Sequence, residues 1–582
     1  MKNLLFILLG GLLALNANAQ TPPVAVNDTF YTYFETTLTK FKSNIIVNDS
    51  DVDGDVLIID TVMYNGTNQL VQTYYTGGAS FLRFKQFIYT PQVGYFGVDS
   101  LTYILTDNGA PTGFDTATIY IYVKRKGYEN LDLNNISANI NNISLFQSNE
   151  LSPALAGFNV PKQNNVTDPY YASIYAANLW IAGQDLNGQV KTYAPKFGQD
   201  DANNSSPLPH TSAGDAGPIG TYDFYSYIWD RVWKVSKIDI DYHLANYTNG
   251  GYQPIEVIEN WPAHGDTSLG QAYNLAPFVD VDFDGIYNPL NGDYPKIKGQ
   301  QAVYFIKNDK RILHSYGSPI GVEVHGMAYA YDCPSDSAIN NTIFLNYKIY
   351  NRSPFTLTNI YTGLWADFDI GNVSDDFIGC DVARGAFYGF NGDGDDEDNG
   401  GVSGYGTHLP AQGVVFLKGP KKDDDGIDNP FTTNIQNALD SNGIPYAGLG
   451  VGYGDGIIDN EHLGMEHFVF YNNNGHPVNG EPNTSIDYYN YLQGKWKSPE
   501  GSNQMTWGGD GTTGSIPAKY MFPKNTDPLL WGTEGVTVSP STWWEGSVGN
   551  TPADRRGVGS VGPFTMQPGE MQELELAFVF GR

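Results

Sequence analysis

Short runs in which apolar and polar residues alternate dominate the first 125 residues of the chain. Five of them are rich in β-branched and aromatic residues and are separated by Asn, Asp and Gly turns, at residues 29–33, 56–64, 81–90, 99–106 and 116–123. A period of two gives each strand one apolar face and one polar face. Five or more strands within about 100 residues predict a β-sandwich over residues 22–123.

Strand-like patterning continues through the rest of the chain. Residues 342–350 partly alternate, and the apolar runs at 302–306, 413–417 and 468–471 are bounded by polar residues or Gly, as buried strands often are. Helical periodicity with caps is rare. We therefore expect an all-β protein in which the first sandwich is followed by one or two larger β-sandwich-type domains with long acidic loops.

Composition shifts suggest where these domains begin and end. A basic, Asn-rich stretch predicts a linker at 124–149, followed by a β-rich region at 150–300 and a second β-sandwich-type region at 301–582. Residues 571–580 alternate like a strand, and the sequence stops two residues later. Because an apolar strand needs covering on both sides, we expect the 301–582 region to be truncated.

The first 19 residues have the pattern of a secretory signal. Lys2 is followed by an apolar stretch at 4–15, and Ala17 and Ala19 provide small residues before the expected cleavage point. The stretch is shorter than the ~20 residues of a spanning helix, and no later apolar run is long enough. The predicted location is extracellular or on the outer cell surface, without a membrane span.

Charge and cysteine content narrow the classes of partner. The 582 residues contain 63 acidic and 32 basic side chains, a net charge of −31. Such a chain is repelled by nucleic acids and by anionic membranes. Cys333 and Cys380 form one disulfide in an oxidising compartment or stay as two free thiols, and we favour the bridge.

Several segments of the first predicted domain resemble the bacterial Ig-like and cadherin-like tandem domains of surface proteins. They are residues 48–55, 89–97 and 99–107, and the opening at 22–28 is also similar. The resemblance covers only this first domain. It implies a spacer or adhesive module with acidic loops suited to Ca²⁺ and without catalytic residues.

Much of residues 270–582 resembles large exported surface proteins of Bacteroidetes whose cores have no known function. The resemblance rests on residues 280–295, 367–371, 375–381, 454–460 and 554–570. It implies cargo of the type IX secretion system, which usually carries a C-terminal sorting domain. None is recognisable here, which favours either a longer natural chain or another export route.

The strongest local motif is the acidic loop that begins at residue 280. Carboxylates at alternate positions, followed by Gly285 for a sharp turn, let a short loop wrap oxygens around a hard cation. Asn291 replaces the bidentate Glu of helix-flanked calcium loops, so the motif is closer to the repeat-type loops of extracellular proteins. The alternative is a solvated acidic turn. The expected ligands are the side chains of Asp280, Asp282, Asp284, Asn288 (directly or through water) and Asp293, and the carbonyl of Ile286.

Other acidic runs repeat this pattern less regularly. One loop lies between two predicted strands and is equally consistent with a calcium site or a solvated turn; its candidate ligands are Asp49, Asp51, Asp53 and Asp55. The denser runs at 393–398 and 423–428 are either further cation sites or solvated surface, and charge runs are more often solvated surface. Asp367 and Asp369, with further Asp residues nearby, belong either to a cation site or to turns.

Motifs of known catalytic machinery are missing from the sequence. It contains no Gly-x-Ser-x-Gly, no His-Glu-x-x-His and no phosphate-binding loop, and Gly464 separates the Glu-His pairs that end at His462 and His467. Three tryptophans lie in Gly/Ser-rich loops, where exposed rings would stack on sugars, although such rings more often pack in cores; they are Trp507, Trp543 and Trp544.

The prediction is therefore an exported, calcium-supported adhesin or structural module without catalysis. Its expected partners are cell-surface or matrix glycans or proteins. The alternative is a carbohydrate-binding or hydrolytic enzyme region behind an Ig-like spacer. A deep cleft with convergent polar groups in the second half of the chain would favour the alternative.

Overall fold

The computed structural model describes most of the chain outside the predicted signal sequence at 1–19. The described residues are 20–33, 36–77, 81–92, 95, 97–109, 111–124, 127–142, 144–148, 155–165, 167–196, 215–221, 226–310, 318–430, 450–497 and 503–582. The chain divides into two compact units, residues 1–125 and 126–582. Strands dominate both units, which confirms the all-β fold.

The first unit is a sandwich of two small sheets. One sheet has the order β1-β7-β6-β3, with β1 parallel to β7, and the other has the order β2-β5-β4. The strands are β1 Asp28–Tyr33, β2 Leu38–Phe41, β3 Ile58–Met63, β4 Gln69–Gly77, β5 Phe81–Thr90, β6 Gly97–Thr106 and β7 Phe114–Lys124, and one helical turn, α1, covers Lys42–Ile45.

Alternation along these strands builds the core of the first unit. Phe87 and Tyr89 on β5 face Leu101 on β6 and Ile119 and Ile121 on β7, and all five side chains are buried. The five predicted strands are present, whereas β2 and β4 were not predicted. At four residues β2 is too short for a clear period, and the polar side chains of β4 obscure its apolar face.

The second unit is a larger sandwich. One sheet has the order β26-β27-β22-β13-β12-β9-β8 with β14 beside β13, and the other has the order β15-β19-β20-β21-β28-β25-β24-β23 with β16 beside β19. Its strands are β8 Tyr128–Leu131, β9 Ser137–Asn141, β10 Gln147–Ser148, β11 Leu155–Ala156, β12 Phe158–Asn159, β13 Ala172–Gln184, β14 Val190–Tyr193, β15 Asp215–Ala216, β16 Trp233–Ser236, β17 Phe278–Val279, β18 Tyr294–Pro295, β19 Gln301–Asn308, β20 Val322–Ala330, β21 Thr342–Asn351, β22 Leu357–Phe368, β23 Asp376–Asp381, β24 Ala386–Asn391, β25 Ala411–Lys418, β26 His467–Asn472, β27 Arg555–Met566 and β28 Met571–Gly581.

Helices contribute little to the second unit. The described helices are α2 Ser226–Trp229, α3 Lys237–Asn246, α4 Glu256–Glu259, α5 Ser337–Asn340 and α6 Ser485–Leu492. Among the described residues, no helix is both long and apolar enough to cross a bilayer.

One hydrophobic core lies between the two large sheets. Phe387 on β24 stacks on Phe468 on β26, with ring centroids 5.3 Å apart, and so joins one sheet to the other. Gly559 on β27 lets the sheets approach, because a Cβ there would lie 2.6 Å from the Phe387 ring. Trp180 and Trp365, both fully buried, stack within the same core with centroids 6.0 Å apart.

Two boundaries expected from the sequence are wrong. The predicted linker at 124–149 contains β8 and β9, and Ile136, Ile140 and Phe146 are buried in the common core. The boundary near residue 300 cuts through a sheet, because β16 pairs with β19 across it. Asn-rich composition hid the alternating apolar residues in the first case, and the sequence contains no signal for pairing between distant strands in the second.

The end of the described chain is also placed differently from expectation. The sequence suggested an apolar strand without covering partners at 571–580. In the structure β28 pairs with β21 on one side and with β25 on the other, so it is an inner strand of its sheet.

The favoured disulfide is wrong, because both cysteines are free. Cys380 is buried on β23, where its Sγ lies 3.1 Å from the carbonyl oxygen of Met521. Burial raises the pKa of the Cys380 thiol. Cys333 lies in the partly exposed turn after β20.

Candidate metal centre

The acidic loop of the second unit connects β17 to β18, which pair antiparallel. Asp280, Asp282 and Asp293 each place one carboxylate oxygen within 4.8 Å of the others. Asp280 directly follows β17 and Asp293 directly precedes β18, so the short strand pair holds two of the three carboxylates at its open end.

Backbone amides orient these carboxylates. Val281 N and Asn288 N donate to the two oxygens of Asp293, each at 2.8 Å. Gly285 N donates to Asp280 Oδ2, also at 2.8 Å. Asp293 is fully buried although it is acidic, and these two hydrogen bonds offset part of the cost of removing it from water.

Local conformation explains why the loop folds in this way. Gly285 and Gly292 have φ values of +76° and +104°, which glycine adopts without steric cost. Phe283 has φ +61° and its side chain is 89% exposed, so the turn is formed without a buried side chain at its tip. Asn288 caps the 3₁₀ turn that follows, because its Oδ1 accepts a hydrogen bond from Leu290 N.

The three converging carboxylates fit a hard cation. Asp280 Oδ1 is a buried atom without a hydrogen-bond partner in the described part of the chain, and no Lys or Arg described there pairs with Asp280, Asp282 or Asp293. Asn291, at the position of the usual bidentate Glu, donates to Asp282 Oδ2 at 2.7 Å and so orients a carboxylate. An all-oxygen donor set is the one that Ca²⁺ prefers.

The other candidate ligands of this loop lie outside the converging group. Asp284 Oδ1 accepts a hydrogen bond from Ile286 N at 2.7 Å, which closes the turn locally. Asn288 Oδ1 is engaged by Leu290 N. The alternate spacing predicts that Asp284 is the third carboxylate beside Asp280 and Asp282. In the structure the third carboxylate is that of Asp293.

The acidic loop of the first unit brings together three of its four candidates. Asp51, Asp53 and Asp55 converge within 4.8 Å. Thr21 donates to Asp53 Oδ2 from its backbone N at 2.8 Å, and Gln20 donates to Asp55. Asp51 Oδ2 is buried without a hydrogen-bond partner in the described part of the chain. These residues form a second possible cation site.

Asp49 points away from that group and lies next to Asp28. Its carboxylate accepts hydrogen bonds from Val26 N and from the Tyr103 hydroxyl, both at 2.8 Å. Burial and the nearby Asp49 raise the pKa of Asp28 from 3.8 to about 7. Burial also raises the pKa of Asp49. Tyr103 and Asn48 partly oppose the shift at Asp28 through hydrogen bonds.

In the presence of a chelator, the first unit is expected to lose stability as the pH rises. The folded pKa of Asp28 lies above its unfolded value, so the stabilisation is complete below pH ~4 and is lost as the pH rises through about 7. Asp28→Asn keeps the shape and removes the charge, and should restore about 1–2 kcal/mol at pH 8 and little at pH 4. Differential scanning calorimetry of the first unit's transition in EDTA measures this.

Asp60→Asn is the matched control, because Asp60 is an exposed residue on β3. It should leave the pH dependence unchanged. Identical profiles for the natural protein and Asp28→Asn would contradict the prediction.

A third group combines residues that are far apart in the sequence. Asp367, at the end of β22, converges with Asp369 and Asp554 within 4.8 Å. Arg556 on β27 lies among them: its Nε is 3.0 Å from Asp367 Oδ1 and it also pairs with Glu481. Burial raises the pKa of Asp367 to about 7 although Arg556 opposes the shift. This group already contains a protein cation, which makes it a weaker metal candidate.

The remaining acidic candidates occupy separate places. Asp375 and Asp376 are buried near Asp396, and burial raises the pKa of Asp375 to about 7. Asp381 forms an ion pair with the exposed side chain of Arg384 at 2.7 Å. None of these residues belongs to a converging group of ligands within the described ranges.

The Glu-His pairs do not form a zinc site among the described residues. His467 lies on β26 in the core, where burial lowers its pKa to about 3, and burial raises the pKa of Glu466 to about 8. Burial thus favours the uncharged form of both side chains. His462 belongs to no group of possible metal ligands among the described residues. Its Nδ1 lies 2.9 Å from the carbonyl oxygen of Gly419.

Two of the three loop tryptophans are core residues rather than exposed sugar platforms. Trp507 and Trp543 are buried with ring centroids 5.0 Å apart, and each donates its Nε1–H to a backbone carbonyl. Trp544 is half-buried, with Lys524 Nζ 5.6 Å from its ring centroid. Large aromatic rings in Gly-rich loops therefore pack inward here.

Comparison with known proteins adds one family. Residues 20–122 match the bacterial Ig domain family, which agrees with the sandwich of the first unit. A search of the curated proteins finds no match. Among solved structures, the chain is similar to a nucleoside hydrolase-related hypothetical protein from Saccharophagus degradans that is associated with carbohydrate metabolism, at 18% identity and a TM-score of 0.14. That alignment covers 18% of this chain and 26% of the other, and it supports no functional argument.

Proposed function

We propose that this protein is an exported, calcium-supported module of the cell surface that acts by adhesion or as a structural element, without catalysis. The bacterial Ig domain match supports a surface or structural role for the first unit. The calcium part rests on one observation, the convergence of Asp280, Asp282 and Asp293 beside the unpartnered Asp280 Oδ1.

The physical role of the cation follows from the charges. Three carboxylate oxygens within 4.8 Å repel one another, and a divalent cation turns that repulsion into attraction. A cation that binds only the folded state adds RT ln(1 + [L]/Kd), so 1 mM Ca²⁺ at a ~10⁻⁴ M site adds about 1.4 kcal/mol. Extracellular calcium would thus hold the β17–β18 loop in the fold.

Isothermal titration calorimetry tests this proposal and distinguishes two neighbouring carboxylates. We expect Asp282→Asn to abolish calcium binding at the second-unit site, because it removes a converging charge. Asp284→Asn should weaken binding far less, because that side chain closes a local turn. The two variants remove the same charge from the same loop, so each is the control for the other.

Equal loss in both variants would show that the alternate-position pattern, rather than the observed geometry, sets the ligands. Unchanged heats in both variants, with identical melting curves in Ca²⁺ and in EDTA, would refute the metal proposal.

The export route is part of the same proposal. The resemblance of residues 270–582 to type IX cargo supports surface delivery through that system. Loss of surface exposure in a host strain that lacks a working type IX channel is the expected result, measured by protease shaving of intact cells. Unchanged exposure would point to another route.

A further inference from the structure

A polar cleft of about 530 Å³ lies in the second unit, between the end of β26 and the segment that leads into β27. Its size is that of a small-molecule site and far exceeds what a single cation needs. Amide side chains dominate its lining: Asn472, Asn473, Asn474, Asn479 and Asn550. Two carboxylates, from Asp510 and Asp554, complete the set of acceptors.

The protein fixes the orientation of three of these amides, Asn472, Asn473 and Asn474, through one atom of each. Asn473 Nδ2 donates to Asp554 Oδ2 at 2.7 Å, and Arg555 donates to Asn472 Oδ1 at 3.1 Å. Asn474 Oδ1 accepts a hydrogen bond from His476 N at 2.9 Å. The amide orientations are therefore set before any ligand enters.

The other atom of each group is left for a ligand. Within the described residues, Asn472 Nδ2, Asn474 Nδ2 and Asn473 Oδ1 make no hydrogen bond. The cleft thus offers donors and acceptors side by side.

Charge argues against an anionic ligand. Arg555 is the cleft's guanidinium, and it is occupied by Glu545, by Asn472 Oδ1 and by the Thr551 carbonyl oxygen, at 3.1, 3.1 and 2.6 Å. The other basic side chain of the lining is His476, whose Nδ1 accepts a hydrogen bond from Val478 N at 3.3 Å. A phosphate or a carboxylate would therefore meet Asp510 and Asp554 without a free guanidinium to balance their charge. An apolar ligand would leave the amides unpaired at a cost for each.

We propose that this cleft binds a neutral saccharide. Each sugar hydroxyl both donates and accepts, which suits adjacent amide donors, amide acceptors and carboxylates in fixed orientations. A neutral saccharide would then be the partner of the proposed adhesive module, and this assignment of a partner rests on the proposed function. It uses none of the three converging carboxylates of the calcium loop.

The test is a glycan array probed with the full chain in 1 mM CaCl₂, followed by calorimetry with the best neutral oligosaccharide. We expect Asp554→Asn and Asn474→Ala each to weaken binding about ten-fold or more. Asp241→Asn and Asn187→Ala, exposed residues outside the cleft, are the matched controls and should leave the affinity unchanged. Melting curves of all four variants show whether each is folded.

Three results would overturn the inference. The first is an array on which no neutral glycan binds. The second is glycan binding that neither cleft variant weakens. The third is binding of inorganic phosphate or triglycine that the same two variants abolish. Calcium binding is measured separately on the β17–β18 loop, so failure of the saccharide inference leaves the calcium proposal standing, and the reverse also holds.

Discussion

Removal of residues 571–582 is expected to abolish the cooperative unfolding of the second unit and to leave the transition of the first unit in place. β28 is hydrogen-bonded to β21 and to β25, so its loss exposes two inner strand edges. Leu574, Leu576 and Phe578 are fully buried on it. The loss of each such side chain costs about 2–5 kcal/mol, and the backbone hydrogen bonds to β21 and β25 are lost as well. Together these losses exceed the free energy of unfolding of a typical domain, about 5–15 kcal/mol. Scanning calorimetry shows both transitions in one sample.

Two point substitutions on β28 test the same contribution to stability, one at a buried residue and one at an exposed residue. Phe578 packs against Phe146 and Phe158, with ring centroids 4.8 and 6.3 Å away, so Phe578→Ala should cost about 3–5 kcal/mol. Met571 lies on the same strand with 40% of its side chain exposed, and Met571→Ala should cost under about 1 kcal/mol. A second unit that melts normally without residues 571–582 would contradict the inner position of β28.

The second large effect is expected at Arg556. Its guanidinium is buried among three carboxylates, with Nε 3.0 Å from Asp367 and Nη2 3.7 Å from Asp554, and it also pairs with Glu481. Arg556→Met keeps much of the volume and leaves Asp367 as a buried charge without its partner. We expect the free energy of unfolding to fall by about 3–5 kcal/mol at pH 8, measured by urea denaturation of the second unit.

The pH dependence of this loss identifies its cause. The pKa of Asp367 is already raised to about 7, and removal of Arg556 raises it further, so the variant gains a proton and recovers stability as the pH falls. The deficit should therefore be smaller at pH 5 than at pH 8. Arg384→Met is the control: its side chain is 77% exposed, and loss of its pair with Asp381 should cost under about 1 kcal/mol. A deficit that does not change with pH would point to lost packing instead.

Strands with a clear local pattern were predictable from the sequence, and their partners were not. Residues 342–350 and 571–580 are rich in apolar and aromatic side chains, and both form strands. That these two strands lie side by side follows from packing across the whole unit, which no local window contains. β9 was missed because Asn139 and Asn141 lie on it, although both are buried with amide hydrogen bonds.

The candidate site divides in the same way. Asp280 and Asp282 were predictable because alternate spacing on a turn brings carboxylates together. The exchange of Asp284 for Asp293 depends on the positive φ of Phe283 and on the pairing of β17 with β18, neither of which the spacing encodes. Asp554 lies beside Asp367 because β22 pairs with β27. No local sequence motif could predict this contact, since the two residues are far apart in the sequence.

The positions of β27 and β28 have a consequence for biosynthesis. Both strands come late in the second unit, yet each lies inside a sheet, and their partners β22 and β21 precede them by roughly 200 residues. At ~5–20 residues per second, a ribosome needs roughly 20–90 s to complete the second unit after the first has emerged. Until then each large sheet lacks one inner strand, β27 in one sheet and β28 in the other. We expect the second unit to stay unfolded until both strands have been synthesised, which is the state that the proposed export through a narrow channel would require.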